Sequence, residues 1–298
     1  MTAANLHRPR QVSEEQRPFS LTVYLLIVVA LSWPFQIAYV LWGFDKTQTP
    51  LMSYSLSSLS MVMVAVGTFI AGRYVFRDGF ADAGWSWGKP RHYLAVFGLV
   101  IFVWVVPTVL ELALGMRSTP TGVIATEILA VFLLRFVATL IPAFGEEFGW
   151  RGYMLPRLAQ RYAVRRALLV QAFVWWAWHL PTLVGFGART EGVGGPVLGV
   201  AVVLLISIVP SMMHAVVYAY IWSSTQSLAV ATAYHSAFDE TRDALETSVG
   251  FGPFVDVVWQ NIVLTLLGVV LLWKGNWKLD RGVMLEEHEP GWRVKAET

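Results

Sequence analysis

The side chains best suited to chemistry lie in the segment "IPAFGEEFGWRGYMLPRL", residues 141–158. Two adjacent carboxylates, Glu146 and Glu147, follow a long and almost uncharged run, and Arg151 comes four positions after Glu147. Ionisable groups in such apolar surroundings cost at least about 2.5–3.5 kcal/mol each, so a chain that keeps them uses them for structure or for function.

The spacing predicts different roles for the two glutamates. Glu147 and Arg151 share one face of a helix, and we expect them to form a structural ion pair. Glu146 is rotated by about 100° around the helix and cannot share that partner equally well. It is the freer carboxylate and the candidate general base. The alternative for both is a solvated carboxylate pair at the membrane edge.

A histidine in the segment "WWAWHLP", His179, is the candidate partner of Glu146. The basic segment "AQRYAVRRA" predicts a turn centred near residue 162, which is 16 residues after Glu146 and 17 before His179. With a rise of 1.5 Å per residue, both side chains lie roughly 25 Å of helix from that turn, at one depth. Pro142 and Gly145 are expected to kink the helix and make room for water. The alternative is an interfacial histidine of an aromatic belt.

A third motif, "AYHSAFDET", places His235 and Asp239 on one helical face. Imidazole and carboxylate groups suit zinc, but the sequence contains no HExxH motif and no cysteine. We therefore expect no cofactor, with zinc as the alternative. Hydrogen bonding to a developing oxyanion is a second use for these groups, and a plain contact at a helix end is a third.

Two further ionisable groups in apolar segments, Arg135 and His214, are assigned structural roles. Arg135 has Glu127 and Glu111 as possible partners, whereas His214 has no obvious partner nearby in the sequence.

The composition is that of a polytopic membrane protein. Of the 298 residues, 56% are hydrophobic and 14% are charged, against about 25% charged in soluble domains. The mean hydropathy is +0.55, and the 14 Trp and 17 Phe suit interfacial belts and packed membrane helices. A net charge of +2 gives no indication of nucleic-acid binding, and the absence of cysteine excludes disulfides and thiolate catalysis.

Apolar runs long enough for a bilayer core predict an all-α fold with about eight transmembrane helices and an active-site cavity between helices 4 to 7. The eight predicted spans are residues 19–43, 53–76, 93–115, 123–145, 164–184, 196–222, 226–242 and 254–273.

Basic residues predict the orientation. Segments 73–91 and 157–166 carry four Lys or Arg each, whereas the intervening loops carry one each, so we expect both termini in the cytoplasm. The first apolar segment lacks the features of a cleaved signal peptide and is predicted to be retained. The expected organisation is a cytoplasmic tail (1–18), one transmembrane domain (19–280) and a second cytoplasmic tail (281–298).

Taken in order, "EEFGWR", "WWAWHLP" and "HSAFD" resemble the three motifs EExxxR, FxxxH and HxxxN or HxxxD of the CPBP family. This is the CAAX prenyl protease and bacteriocin-processing (Abi) family of intramembrane proteases. The resemblance centres on residues 123–242. Trp175 stands at the position of the family's usual Phe, a change that should be tolerated, and Asp239 stands where eukaryotic-type members have Asn.

The resemblance implies an intramembrane glutamic endopeptidase that needs no metal. Glu146 and His179 would then activate a water, and His235 with Asp239 would stabilise the oxyanion, while Glu147, Arg151 and Trp175 would be supporting residues. An amide donates a hydrogen bond at any pH but a carboxylate does so only when protonated, so Asp239 has a second possible role, orienting His235.

The expected partners are the lipid bilayer and a membrane-associated protein or peptide substrate, and we expect a bacterial cell membrane as the location. A proton-coupled transporter would use the same buried groups, but it favours repeated halves, and here the polar groups concentrate in the second half. A non-proteolytic immunity or scaffold protein is the other alternative.

Overall fold

A computed structural model of the chain describes residues 17–44, 48–116, 125–190, 192, 194–250 and 258–279. Helices account for nearly all regular structure in these ranges, so the predicted all-α fold class is confirmed. The two terminal tails lie almost entirely outside the described residues, and the predicted domain boundaries stay predictions.

The helices of the described residues are numbered in chain order. They are α1 (Leu21–Ala38), α2 (Pro50–Ile70), α3 (Pro90–Val100), α4 (Val106–Ala113), α5 (Ala125–Glu147), α6 (Leu155–Arg161), α7 (Val164–Trp178), α8 (Leu180–Arg189), α9 (Pro196–Thr225), α10 (Leu228–Val249) and α11 (Gln260–Lys274). Wider π-helical turns continue α1 (Tyr39–Gly43) and α2 (Ala71–Val75), and join α3 to α4 (Ile101–Val105) and α5 to α6 (Phe148–Met154).

Five continuous helical stretches in the described part of the chain are long and apolar enough to cross a bilayer, and the bent pair α7–α8 makes a sixth if it counts as one span. The five are Leu21–Gly43, Pro50–Val75, Pro90–Ala113, Ile128–Arg161 and Pro196–Thr225.

The predicted count of eight spans is therefore not confirmed. The two remaining helices differ from the predicted seventh and eighth spans for different reasons. α10 runs beyond the predicted end at residue 242 and carries five charged residues between positions 239 and 246. α11 is apolar but only 15 residues long, shorter than the roughly 20 residues that span a hydrocarbon core.

α5 lies between α2 and α10, and the glycines at its end allow a close approach to α2. A Cβ atom at Gly145 would lie 2.6 Å from the carbonyl oxygen of Met61, and one at Gly149 would lie 2.4 Å from the Val64 side chain. Both distances are shorter than van der Waals contact. The expectation that Gly145 makes room for water is therefore wrong, because that room is filled by the backbone of α2.

The turn predicted near residue 162 is present, between the end of α6 at Arg161 and the start of α7 at Val164. α7 ends at Trp178, and α8 leaves it at an angle of 52°. Pro181 explains this break, since it lacks the N–H that would continue the hydrogen-bond ladder and restricts the residue before it.

A buried arginine on α6 holds the connection between α2 and α3 against the bundle. The Nε atom of Arg157 lies 2.8 Å from Oδ2 of Asp78, and its Nη1 atom lies 3.1 Å from Asp82. Its Nη2 atom donates to the carbonyl oxygen of Gly79 at 2.8 Å, and the guanidinium stacks 3.6 Å from the ring centroid of Tyr153. The network fixes the packing of α6 below the carboxylate motif.

Replacing Arg157 by Met is expected to lower the free energy of unfolding by about 2–3 kcal/mol, because several charge-assisted hydrogen bonds are lost together. Thermal unfolding in detergent should show a midpoint several degrees lower. Arg161→Met is the control, since Arg161 is exposed on the same helix. Equal midpoints for the two variants would show that the network does not stabilise the fold.

Candidate active site

The Glu147 carboxylate lies at the centre of the site and is 0% exposed. Its Oε1 atom accepts a hydrogen bond from Nη1 of Arg151 at 2.9 Å, so the ion pair predicted from the i, i+4 spacing is present. The same oxygen also lies 2.8 Å from Nδ1 of His235. Glu147 therefore joins the first motif to the third, a contact that no local spacing could predict because 88 positions separate the two residues.

His235 lies between two carboxylates. Its Nε2 atom is 3.4 Å from Oδ2 of Asp239, one helical turn further along α10. The other oxygen of Asp239 lies 3.3 Å from Nη1 of Arg242. A histidine whose two nitrogens both face carboxylate oxygens can donate to both only as the doubly protonated cation. The structure thus places Asp239 against His235, the arrangement expected of a residue that orients the ring.

Glu146 is 2% exposed and bonds to a partner other than Arg151. Its Oε2 atom accepts a hydrogen bond of 2.9 Å from Nε1 of Trp175, on α7. The prediction treated Trp175 only as an aromatic replacement for Phe. The sequence analysis does not predict this hydrogen bond from the indole N–H. The only signal for it in the sequence is the residue type, because Phe has no such donor.

His179 lies at the junction of α7 and α8, one turn beyond Trp175. Its Nδ1 atom is 2.8 Å from the backbone carbonyl oxygen of Trp175. A carbonyl oxygen only accepts, so Nδ1 carries a proton, and when the ring is neutral Nε2 is its unprotonated nitrogen. Trp175 and Trp178 flank the imidazole edge-on, with ring centroids 4.6 and 4.7 Å away.

Aromatic rings and charge interactions complete the connection among the three motifs. The Arg151 guanidinium lies 5.3 Å from the Trp175 ring centroid and 4.5 Å from that of Tyr218 on α9. Tyr218 in turn lies 5.0 Å from the His235 ring. The Glu146 charge interacts with both His179 and His235. Glu146, Glu147, His179 and His235 thus converge in one cluster.

The other two ionisable groups of the sequence analysis, His214 and Arg135, have observed surroundings. His214 on α9 lies beside the cluster, with Nε2 3.0 Å from the hydroxyl of Tyr234 and its ring 4.6 Å from that of Tyr218. Arg135 interacts electrostatically with Glu240 on α10. Its predicted pairing with Glu127 falls on a side chain outside the described residues.

Several buried polar atoms beside the cluster have no hydrogen-bond partner among the described residues. They are Oε2 of Glu147, Nε and Nη2 of Arg151, and both amide atoms of Gln171. Gln171 lies on α7 one turn before Trp175 and was not predicted. Buried polar atoms are usually satisfied by protein groups or by ordered water, so we refer to these atoms of Glu147, Arg151 and Gln171 as a hydrophilic lining.

The cluster is closely packed and unequally accessible. Glu146, Glu147, Arg151 and His235 are buried, whereas His179 is partly exposed and the Asp239 side chain is 24% exposed. Two clefts found elsewhere on the described surface are lined by other residues, one by Leu41, Trp42, Phe44 and Arg189 and one between α7 and α11. Among the described residues of the cluster, His179 and Asp239 are therefore the ones that reach the surface.

An all-helical bundle with several apolar spans and a buried glutamate–histidine cluster defines a multi-pass membrane protein with an ionisable site. Residues 127–240 match the model of the family described as "Type II CAAX prenyl endopeptidase Rce1-like". The match includes all three motifs and confirms the resemblance to the CAAX protease (CPBP) family. No curated protein matches the chain.

Replacing Arg151 by Met should destabilise the fold, because it leaves the Glu147 charge buried without its ion-pair partner. The cost of breaking a buried pair from one side is on the order of 3–5 kcal/mol. We expect a lower unfolding midpoint in detergent and less folded protein in the membrane.

The double variant Glu147→Gln/Arg151→Met is the matched control for this prediction. It should recover part of the lost stability, because no unpaired charge is then buried, but not all of it, since the bond to His235 is weakened. A single Arg151→Met variant as stable as the wild type would contradict the structural role of the pair.

Proposed function

We propose that the protein is an intramembrane endopeptidase that hydrolyses a peptide bond of a membrane-associated protein or peptide. The observation that carries the proposal is the arrangement around Trp175. Its indole N–H holds the Glu146 carboxylate, and its backbone carbonyl fixes His179 in the tautomer with a free Nε2 atom. A carboxylate and a basic imidazole nitrogen in one cluster suit the activation of a water molecule. The match to a CAAX endopeptidase family supports the same reaction class.

In the proposed mechanism, Glu146 accepts a proton from a water that also hydrogen-bonds to Nε2 of His179. The resulting hydroxide attacks the carbonyl carbon of the peptide, and a C–O bond forms. When the tetrahedral intermediate collapses, the C–N bond breaks and the proton held by Glu146 passes to the departing amine. The products are a carboxylate and an amine, and the two catalytic residues return to their starting states.

His235 is the proposed donor to the oxyanion of the intermediate. Its Nδ1 atom is committed to Glu147 at 2.8 Å, but the contact of Nε2 with Asp239 is 3.4 Å, at the weak end of hydrogen bonding. Nε2 is therefore the nitrogen that can turn to a substrate oxygen. Asp239, held in turn by Arg242, would orient the ring and maintain its charge. Its partial exposure supports the approach of a peptide from this side.

The hydrophilic lining formed by Gln171, Arg151 and Glu147 supports a supply of water to the base. A bilayer offers no water at this depth, and buried polar atoms without protein partners are the groups that retain it. Gln171 is on α7, and Arg151 lies in the π-helical turn between α5 and α6.

The donor set favours a mechanism without a bound metal. Both nitrogens of His235 face carboxylates and Nδ1 of His179 faces a backbone carbonyl, so few imidazole nitrogens remain for coordination. Catalytic zinc sites usually have three protein ligands. Among the described residues, no three His, Asp or Glu side chains are arranged to hold a metal ion.

The proposed setting is a cell membrane with both termini in the cytoplasm. The apolar helices support a multi-pass membrane protein, and the distribution of Lys and Arg supports this orientation. The turn at Tyr162 would then face the cytoplasm, and the cluster would lie within the bilayer.

Glu146→Gln is expected to abolish hydrolysis, because the amide keeps the size and the bond from Trp175 but cannot accept a proton from water. The test is cleavage of a peptide library by the purified full-length protein in detergent, followed by mass spectrometry. Wild-type activity should survive a strong chelator and inhibitors of serine and cysteine proteases.

Two results would contradict this proposal. Complete inhibition by the chelator, reversed by zinc, would make the histidines and a glutamate metal ligands. A Glu146→Gln variant with most of the wild-type rate would move the base to another residue. The Glu146→Gln variant must have the same unfolding midpoint as the wild type for the two rates to be compared.

Trp175→Phe restores the usual family residue and removes one hydrogen bond to the proposed base. A hydrogen bond to a charged group contributes about 1.5–3 kcal/mol, so we expect kcat to fall on the order of tenfold or more. KM should change little, because Trp175 acts by positioning Glu146. The measurement is steady-state cleavage of a peptide that the wild type cuts.

Trp176→Phe is the matched control, since the Trp176 indole donates to Ser207 at 3.1 Å and has no bond to Glu146. Equal kcat values for the two variants would remove the positioning role of Trp175.

A further inference from the structure

A cleft with a volume of about 400 Å³ lies between the start of α7 and the end of α11, apart from the glutamate–histidine cluster. One side is formed by residues around the α7 N-terminus and the other by the last turn of α11 and the segment after it. The lining residues are Ala163, Val164, Arg165, Leu272, Trp273, Gly275 and Trp277. Apart from Arg165, these residues are aliphatic, aromatic or glycine.

Arg165 is the charged side chain of the cleft. Its guanidinium lies 4.5 Å from the ring centroid of Trp273. Its Nε and Nη2 atoms donate to the carbonyl oxygens of Leu272 and Trp273 at 3.4 and 3.3 Å, which are long hydrogen bonds. Arg165 is exposed, and a guanidinium has five N–H donors, so donors remain for a ligand.

The two described segments that form the cleft add positive charge and carry no acidic side chain. α7 begins at Val164, its cap residue Ala163 makes no side-chain hydrogen bond, and no acidic residue lies in its first turn. The first backbone N–H groups therefore carry the partial positive charge of an uncapped helix start. Arg161, Arg166 and Lys274 are exposed nearby, and segments 155–168 and 258–279 contain no Asp or Glu.

We propose that this cleft binds the headgroup of an anionic phospholipid. The guanidinium of Arg165 and the N–H groups at the start of α7 would hold the phosphate, since arginine and helix N-termini both suit phosphate oxygens. Leu272, Trp273 and Trp277 would accommodate the glycerol and the first methylenes of an acyl chain.

The apolar part of the cleft favours a lipid over free phosphate. Trp273 is 61% exposed at the end of an apolar helix, as expected of a tryptophan at the boundary between hydrocarbon and headgroups. Basic pockets between helices at the cytoplasmic boundary are typical sites for anionic headgroups. A bound lipid would bridge α7, which carries Trp175 and leads directly to His179, to α11.

The test is thermal unfolding of the purified full-length protein in a neutral detergent with dioleoylphosphatidylglycerol, dioleoylphosphatidylcholine or inorganic phosphate at matched concentrations. We expect phosphatidylglycerol to raise the midpoint by several degrees and the other two to raise it by less than half as much. Arg165→Gln should lose more than half of the phosphatidylglycerol increment.

Ala163→Asp separates lipid binding from helix packing. The new carboxylate leaves the contacts of Arg165 with α11 in place and caps α7, so the midpoint without lipid should stay equal or rise. Its charge should repel a phosphate and remove more than half of the lipid increment. Arg73→Gln is the control, because Arg73 is also an exposed arginine beside an aromatic ring, 5.8 Å from the centroid of Tyr74, and it should keep the full increment.

If phosphatidylglycerol raised the unfolding midpoint of Ala163→Asp as much as that of the wild type, the proposal would be overturned, even if Arg165→Gln fails to fold. An equal increment with inorganic phosphate would overturn it as well, since a small anion would then be sufficient. Neither result depends on peptide hydrolysis.

Discussion

The Glu147 carboxylate accepts hydrogen bonds from Arg151 in its own motif and from His235 on α10, with no exposure to solvent. A lone carboxylate would be very costly at this position, and the two donors compensate that cost only while both are in place. α5 and α10 must therefore pack in one register for the charge to be satisfied. This pairing fixes the position of Glu146, the neighbour of Glu147, relative to His235.

Close helix packing converts that electrostatic constraint into a fixed geometry. Gly145 and Gly149 flank the two glutamates and let the backbone of α2 approach α5. The helix then widens into the π-helical turn Phe148–Met154, which holds Arg151. Such turns shift the face that a helix presents and are frequent at functional sites. The glutamates consequently point towards α7 and α10 and away from lipid.

Trp175 connects the remaining parts of the cluster through two different groups. The indole holds Glu146 and the carbonyl holds His179, so one residue of α7 positions both members of the proposed catalytic pair. Exposure differs across the site, since Glu146 is buried whereas His179 and Asp239 are partly exposed.

The sequence alone determined the all-α membrane class, the turn near residue 162, the pairing of Glu147 with Arg151 and the family resemblance, because these depend on composition and on spacings within one or two turns. The number of spans was not determined, since α10 combines length with charge and α11 is short. Tertiary structure alone decided that Glu147 binds His235, that Trp175 donates to Glu146 and that the backbone of α2 packs against Gly145. These contacts join residues between 29 and 88 positions apart, and helix packing, which sets them, leaves no periodic signal in the chain.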